Sequence, residues 1–562
     1  MRFKQDKLGL RPIGAALLAA TLASCGGGGD AGVSSAQEDV ATALDSTRQA
    51  LAATSPAAVC TAPIVAANTS ATPASVGTGT AASCTEAALR LAVAGNPVVT
   101  FNCGASPVTI AIRSPIHVPA NRNTVIDGGG KVTLDGGGVT RILSLVQANY
   151  RSNSLGLTLQ HITLANGRAP GGGYVAPSSS NPKCAYGYKT GAGGAIEVQD
   201  ARLHVIDTVF ADNRAATPGP DVGGGAIYAA GSTDVTVVGS SFTGNSGSNA
   251  GAVGLLQTNF RVYNSVFQAN VANGTGQNYR SAETASCPGV GHAGQGGAGG
   301  NAGAIGIDGS DDTDVVVCGN RFIGNTANEL GGALSRTPNG SPRRTTIDRS
   351  LFEGNTAKQA GAFYVMNSAP LEILSSTLTG NKAVSAGAAQ LAGSRLTVQN
   401  STFHANEATK GVAGALMLNG NDAASVMRNV TFSANKASGG PGYFSAALFG
   451  TLNFPITNSV FANNTTTDPW NPMQCGFSAA PGANNLQWPR TRAVGGAQDT
   501  PCVSGIVFAD PLLGALASNG GPTPTLLPAA ASPLRKAGRS CPTTDQRGVG
   551  RSVAQCTIGA VE

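Results

Sequence analysis

The chain has 562 residues, 77 of them glycine and 30 proline, and is 41% hydrophobic, 12% charged and 5% aromatic. Glycine without a three-residue period excludes collagen, and this hydrophobic share argues against a disordered chain. Arg2, Lys4, Lys7 and Arg11 against Asp6 put +3 of the formal +6 into residues 1–24, so the remainder carries only +3 and nucleic-acid binding has no electrostatic basis.

The first predicted element is a leader. Residues 1–24 place a basic segment before an apolar run from Ile13 to Leu22 and then small residues, which is secretory signal logic. The run is too short to span a bilayer. It ends in Leu22-Ala23-Ser24-Cys25-Gly26, which resembles a bacterial lipobox. That resemblance implies lipidation of Cys25 as the mature N-terminus and, because Gly26 is not aspartate, the outer membrane. Residues 25–75 are then a lipid-anchored linker, Gly-rich over 26–35, with a helix candidate from the Ser35-x-x-Glu38 box through Leu51. Beyond Cys25 stand ten cysteines, an even number consistent with five disulfides in an exported chain, and none forms a Cys-x-x-Cys metal or redox site.

A second capping box, Ser83-Cys84-Thr85-Glu86, predicts a short helix through Leu89 to Val93, followed by a strand over Val98 to Phe101. A bond between Cys84 and Cys103 would staple that helix to the first coil and help cover an open strand edge.

Repeats dominate the rest. Units open on Gly-Ala, as at Gly225-Ala226, Gly251-Ala252, Gly303-Ala304, Gly332-Ala333, Gly361-Ala362 and Gly414-Ala415. They close on an apolar residue three before an asparagine: Phe210/Asn213, Phe242/Asn245, Phe267/Asn270, Phe322/Asn325, Phe352/Asn355, Leu378/Asn381, Phe403/Asn406, Phe432/Asn435 and Phe461/Asn464. Val205, Val237, Val262, Val317, Ile347, Ile373, Val398, Met427 and Ile456 precede the closing residues by five, with further apolar residues two earlier, and this alternation is that of half-buried strands. The shortest spacing between closing asparagines, 25 or 26 residues, suits a coil of three short strands and three turns. Coils stacked about 4.8 Å apart make an all-β, right-handed parallel β-helix of about ten coils, roughly 50 Å long. The closing asparagines are expected to ladder from coil to coil, and Asn264, Asn400, Asn429 and Asn458 to form a second ladder.

These repeats resemble the β-helix repeat proteins of the pectin-lyase-like superfamily, and Thr124-Val125-Ile126-Asp127-Gly128-Gly129-Gly130 is similar to their opening turn. The C-terminal stretch holds Asp510-Pro511-Leu512-Leu513-Gly514, Asn519-Gly520-Gly521-Pro522-Thr523-Pro524-Thr525, Asp545-Gln546-Arg547-Gly548 and Ile558-Gly559-Ala560. It resembles the choice-of-anchor Q module of bacterial surface β-helix proteins. The resemblance divides the chain into a β-helix with its cap over 76–470 and a terminal module over 471–562. It also implies the pairs Cys475 with Cys502 and Cys541 with Cys556, and Asp545 and Arg547 read as a folding ion pair. Cys60 and Cys318 stay unassigned. A repeat of this kind specifies fold and not function.

Two inserts, Gly167 to Gly193 and Val271 to Ala302, interrupt the repeat at one register, between a closing asparagine and the next Gly-Ala. They therefore rise from one edge about 15 Å apart, where a bond between Cys184 and Cys287 would lock them. Tyr174, Lys183, Tyr186, Tyr188 and Lys189 lie in the first, and Tyr279, Arg280, Glu283 and His292 in the second. Aromatic faces with basic neighbours suit sugar rings and acidic polysaccharides, so Tyr186, Tyr188, Lys189, Tyr279 and Arg280 are the candidate ligand contacts.

In a polysaccharide lyase, His292, Tyr188 or Lys189 would act as base while Arg280 or calcium neutralised a uronate carboxyl. Asp308, Asp311, Asp312 and Asp314 form the densest acidic turn and are the candidate calcium ligands. The chain lacks the Gly-His-Gly with paired aspartates of polygalacturonases and the catalytic arginine context of pectate lyases. Glu197, Asp348 and Glu372 fall on different coils, and His161, His204 and His404 stand alone. The expectation is a lipid-anchored outer-membrane adhesin or polysaccharide-binding protein whose partner is a polysaccharide or cell-surface glycan. An enzyme acting on acidic polysaccharide, lyase before hydrolase, and a structural envelope component are the alternatives.

Overall fold

The computed structural model describes residues 58–71, 73–152, 154–170, 191–216, 223–274, 277–279, 296–309, 314–338, 343–440, 442–476, 478–492 and 494–562, with 277–279 and 296–298 by backbone alone. They belong to one compact unit, 51–562. It is an all-β parallel solenoid. Each coil runs through four short faces. Face I is an 11-stranded sheet from Ile116–His117 to Leu448–Gly450. Faces II and III are the two limbs of a 26-stranded sheet, and face IV is an 8-stranded sheet from Ser246–Gly247 to Thr465–Thr466. One coil shows the order: Ile227–Ala230, Val235–Val238, Ser241–Thr243, Ser246–Gly247.

A bridge from Leu448 to Cys475 adds a level to face I, giving about twelve turns instead of about ten. The additional coils lie at the ends, where Ile116–His117 and Cys475 carry neither the Gly-Ala opening nor the Phe-Asn close. Faces II and III continue past residue 470 through Gly482–Ala483, Leu486–Trp488 and Val507–Phe508.

The strands repeat because the same residues meet their own kind. Phe210, Phe242, Phe267, Phe322 and Phe352 stack with ring centroids 4.6–5.0 Å apart, close to the strand spacing. Leu378 interrupts the column before Phe403, Phe432 and Phe461 resume it. All are fully buried, as is the valine and isoleucine row opposite.

Beside the rings, the closing asparagines form a continuous ladder. Asn355 Oδ1 accepts from the main-chain N and the Nδ2 of Asn325, each at 2.9 Å, while Asn355 Nδ2 donates to Asn381 Oδ1 and to the Phe322 carbonyl. The ladder ends on Gln474 Oε1, which takes the bond from Asn464 in place of a further asparagine. The Gly-Ala step has a different cause. Gly251, Gly303, Gly332, Gly361 and Gly387 stack so closely that a Cβ on any of them would overlap the carbonyl oxygen of the next.

The second ladder does not form as expected. Asn264, Asn400, Asn429 and Asn458 occupy the bend between faces II and III with φ of 49–54°, a conformation asparagine tolerates. Only a 3.4 Å contact from Asn458 Nδ2 to Asn429 Oδ1 joins two of them. The ladder sits one residue later: Ser240 N donates to Ser265 Oγ, Ser265 N to Asn320 Oδ1, Asn320 N to Ser350 Oγ and Ser350 N to Ser376 Oγ.

The asparagines at the bend bind residues 59–60 and the C-terminal region instead. Asn264 Oδ1 accepts from the N–H groups of Val59 and Cys60, and its Nδ2 donates to the Cys60 carbonyl. Asn400 donates to Thr544 O, Asn429 to Gly559 O and Asn458 to Arg539 O. An N-terminal segment from residue 59 and the C-terminal region thus lie along the same bend from opposite directions.

The helix Glu86–Gly95 packs Leu89, Ala92 and Val93 into the first coils. Its N-cap is Thr85, whose side chain accepts from Ala88 N. Ser83 was the expected cap, but it lies in a preceding 3-10 turn and its hydroxyl bonds Thr80 O. Disulfides join Cys84 to Cys103, Cys475 to Cys502, Cys541 to Cys556, and Cys60 to Cys318, the pair the sequence left open. Cys184 and Cys287 lie outside the described residues. Among the described residues, no helix is long and apolar enough to cross a membrane.

Candidate functional site

Both inserts leave from the corner where face IV turns into face I. The first returns into Ile196–Gln199 and the second into Ile305–Asp308, three steps apart in face I, or about 14 Å. Each stem is clamped by buried polar groups.

Arg141 holds the first. Its Nε donates to Gly193 O (2.9 Å), its Nη2 to Ala192 O (2.7 Å), and its Nη1 pairs with Glu197. Burial raises the Glu197 carboxyl pKa, with Arg141 pulling the other way. The second stem is pinched where the N–H groups of Gly274 and Gly300 share the Ser248 carbonyl. Asn301 N donates to Asn249 Oδ1 (3.0 Å), and Glu329, 6% exposed and paired with Lys358 at 2.9 Å, donates its own N–H to Gly300 O. Gln277–Tyr279 then runs antiparallel to Gly296–Gly299 at the base of the insert.

Of the candidate ligand contacts, Tyr279 is placed by backbone alone on this ribbon. Tyr186, Tyr188, Lys189, Arg280 and His292 lie outside the described residues, as do Asp311 and Asp312. Asp308 accepts from Thr337 Oγ1 (3.2 Å), and Asp314 accepts from Arg344 N (3.3 Å). The metal-ligand types that cluster among the described residues are Cys60, Cys318 and Asp348, and the disulfide between the two sulfurs takes them out of metal chemistry.

Sequence reasoning missed a third excursion at this corner. Residues 467–472 follow Asn464 at the register of the inserts and carry Trp470, which is 80% exposed. The loop is organised by the fully buried Asp468. Its carboxylate accepts from Trp470 N (2.7 Å), Asn471 N (3.2 Å), Asn471 Nδ2 (2.7 Å) and, one coil earlier, Gly442 N. Burial opposes ionisation of Asp468, but the bonds from Asn471, Trp470 and Gly442 together outweigh it and hold its pKa below the usual range. Arg492 Nη1 donates to Trp470 O (2.8 Å). Tyr443 is tied to the strand that leads into this loop, its carbonyl accepting from Thr466 Oγ1, and Phe444 meets Phe449 edge to face. A large exposed aromatic fixed at one place is what a planar or ring-shaped ligand can stack on.

The histidines do other work. His161 Nδ1 meets Asp127 (3.1 Å), and His204 Nε2 meets Asp234 (3.0 Å), which also takes Arg261 (2.8 Å) and Thr236 (2.7 Å). Against the cost of burial, the bonds from His204, Thr236 and Arg261 hold the Asp234 carboxyl far below its ordinary pKa. Burial lowers the pKa of His404. Glu197, Asp348 and Glu372 stay on different coils.

A cleft of about 580 Å³ opens on the opposite flank, where Val59 of the N-terminal segment nears Gly520–Pro522 and Thr544–Gly548 of the C-terminal region. Its charges are paired internally, Asp348 with Arg349 and Asp545 with Arg547 (each 2.8 Å). Asp545 also accepts from the N–H groups of Arg547, Val549 and Glu562, which makes it a folding hub. The cleft is the seam between two packed segments.

No family model matches the chain, and no curated protein matches it. Among solved structures it is similar to the crystal structure of PfbA, a surface adhesin of Streptococcus pneumoniae, over 82% of this chain and 99% of that one, at 11% identity and a TM-score of 0.32. A likeness at that level implies nothing about activity.

Proposed function

We propose that the chain is a cell-surface β-solenoid of adhesin type that takes a polysaccharide or cell-surface glycan on the corner between faces IV and I. Lipidation of Cys25 holds it at the outer membrane, and residues 471–562 serve as a terminal module of the choice-of-anchor kind. The observation that carries the reading is Trp470, exposed on a clamped loop at the corner from which both tyrosine-bearing inserts also leave. Stacking of sugar rings on such aromatics needs no catalytic constellation.

The test is binding of the purified protein to an array of neutral and acidic glycans, repeated with Trp470→Ala. Binding that falls by about tenfold in the variant, the scale of one aromatic contact of roughly 1.4 kcal/mol, supports the reading. Unsaturated product from uronate polymers in the presence of calcium replaces it with a lyase, and neither binding nor product replaces it with a structural envelope component. Lipidation is checked separately, by mass spectrometry of the mature N-terminus and by release of Cys25→Ser into the soluble fraction.

A further inference from the structure

Val59 and Cys60 lie against the flank of the solenoid, well away from either end of the stack. They sit beside Val315–Cys318, whose coil begins with Ile305–Asp308, the sixth strand of face I. Three contacts converge there. The disulfide joins Cys60 to Cys318, Asn264 takes both N–H groups and the Cys60 carbonyl, and Arg349 Nη1 donates to Val59 O (3.1 Å).

Beyond Cys60 the chain runs back toward the first coil. Its next side-chain anchors are Ala67, bonded through N–H and C=O to Gln160 (2.8 and 3.0 Å), and Thr69, bonded to Asp127 (3.1 Å). The strand holding Gln160 lies four steps from that holding Cys318, or about 19 Å, and seven extended residues reach about 23 Å. The segment is thus largely extended, and Val65 in its middle is 85% exposed. A pull from the N-terminal side on such a segment breaks its few anchors one after another. A pull entering at Cys318 meets a strand paired on both sides, to Phe260–Tyr263 and to Thr345–Asp348, and loads their hydrogen bonds together.

We propose that the Cys60–Cys318 disulfide, seated between Asn264 and Arg349, is a tension clamp. It makes the mid-solenoid flank the point where force on the preceding chain enters the fold, and it shields the extended segment beyond it from being peeled away. Because the coil runs through faces I, II, III and IV in turn, the bend between II and III is diagonally opposite the corner between IV and I. The point of attachment is therefore on the side opposite the corner from which the insert stems and Trp470 leave. The biological use of the clamp rests on the anchored reading above; its mechanics do not.

Single-molecule pulling on the full chain tests it, with one handle at the N-terminus and the other on Trp470→azidophenylalanine. The wild type is expected to show no release of residues 60–76 before the solenoid itself ruptures. Cys60→Ser/Cys318→Ser is expected to add an early low-force step that frees residues 60–76, about 5–6 nm of chain pulled straight. The same early step in both proteins, or in neither, overturns the proposal. Should the double variant fail to fold, Cys84→Ser/Cys103→Ser decides, because a clamp upstream of that bond leaves the first rupture unchanged and an early step there overturns it. Neither outcome depends on lipidation of Cys25, so loss of the clamp and loss of the anchored reading are separate results.

Discussion

Asn355 shows how much one side chain carries in this fold. Its amide makes four bonds, all buried, and replacement by alanine strands the Asn325 N–H and the Phe322 carbonyl together, while Asn381 Oδ1 keeps the main-chain N–H of residue 355. Each stranded group costs about 1–3 kcal/mol, so Asn355→Ala is expected to lose about 3–5 kcal/mol in denaturant unfolding. The glycines separate two causes that composition alone confuses. Gly354 has φ of 64° with open space around a Cβ, whereas Gly332 lies against the carbonyl of Gly361. Gly354→Ala should cost about 1 kcal/mol of backbone strain, and Gly332→Ala about 2–3 kcal/mol, because two coils must part. Thermal melts of the two variants give the order directly. The sequence showed the closing asparagines clearly, because their spacing from the closing apolar residue never varies. It misread Asn264, Asn400, Asn429 and Asn458, because a residue suited to a left-handed bend has the same letter whether its amide meets the next coil or a segment lying outside.

Among the elements, the corner loops depend on buried polar clamps. The Asp468 carboxyl titrates lower in the folded chain than in the unfolded one, so its contribution to loop order is fully present above a pH of about 4. It is lost as pH falls through the lowered folded value. In a Trp488→Phe background, the fluorescence anisotropy of Trp470 should therefore stay level from pH 7 to 5 and drop below pH 4. Asp468→Ala should show the low value throughout. Anisotropy that ignores both the acid and the substitution would mean the two flanking prolines, Pro469 and Pro472, hold the loop unaided. The inserts were legible because the distance from a closing asparagine to the next Gly-Ala is otherwise short. Trp470 was not, because its excursion is brief and the following coil opens on Gln474-Cys475, which the repeat pattern does not mark.

For the whole molecule, the period revealed the solenoid but not the way its ends return along it. Those segments carry no repeat, and Cys60 finds its partner 258 residues away. The C-terminal region fills the bend over several coils. Gln546 bonds Thr377 and Thr402, Ala560 N bonds Thr431, and Leu534 and Ile558 pack with Val460, Ala462 and Leu486. Each coil of a solenoid answers mainly to its neighbours, so removing this cover should weaken the coils beneath it and spare the distant ones. Truncation after Ala509 is expected to speed amide exchange in the strands from Leu371–Leu374 to Ile456–Thr457, whose bend residues lose their partners. The strands from Arg202–Ile206 to Phe260–Tyr263, under the N-terminal segment, should keep their protection. The same truncation should promote association, since it uncovers apolar side chains next to the last strands of the stack. Uniform loss of protection would instead show that the twelve turns unfold as one cooperative unit, with the C-terminal region acting on the whole stack and not on its own flank.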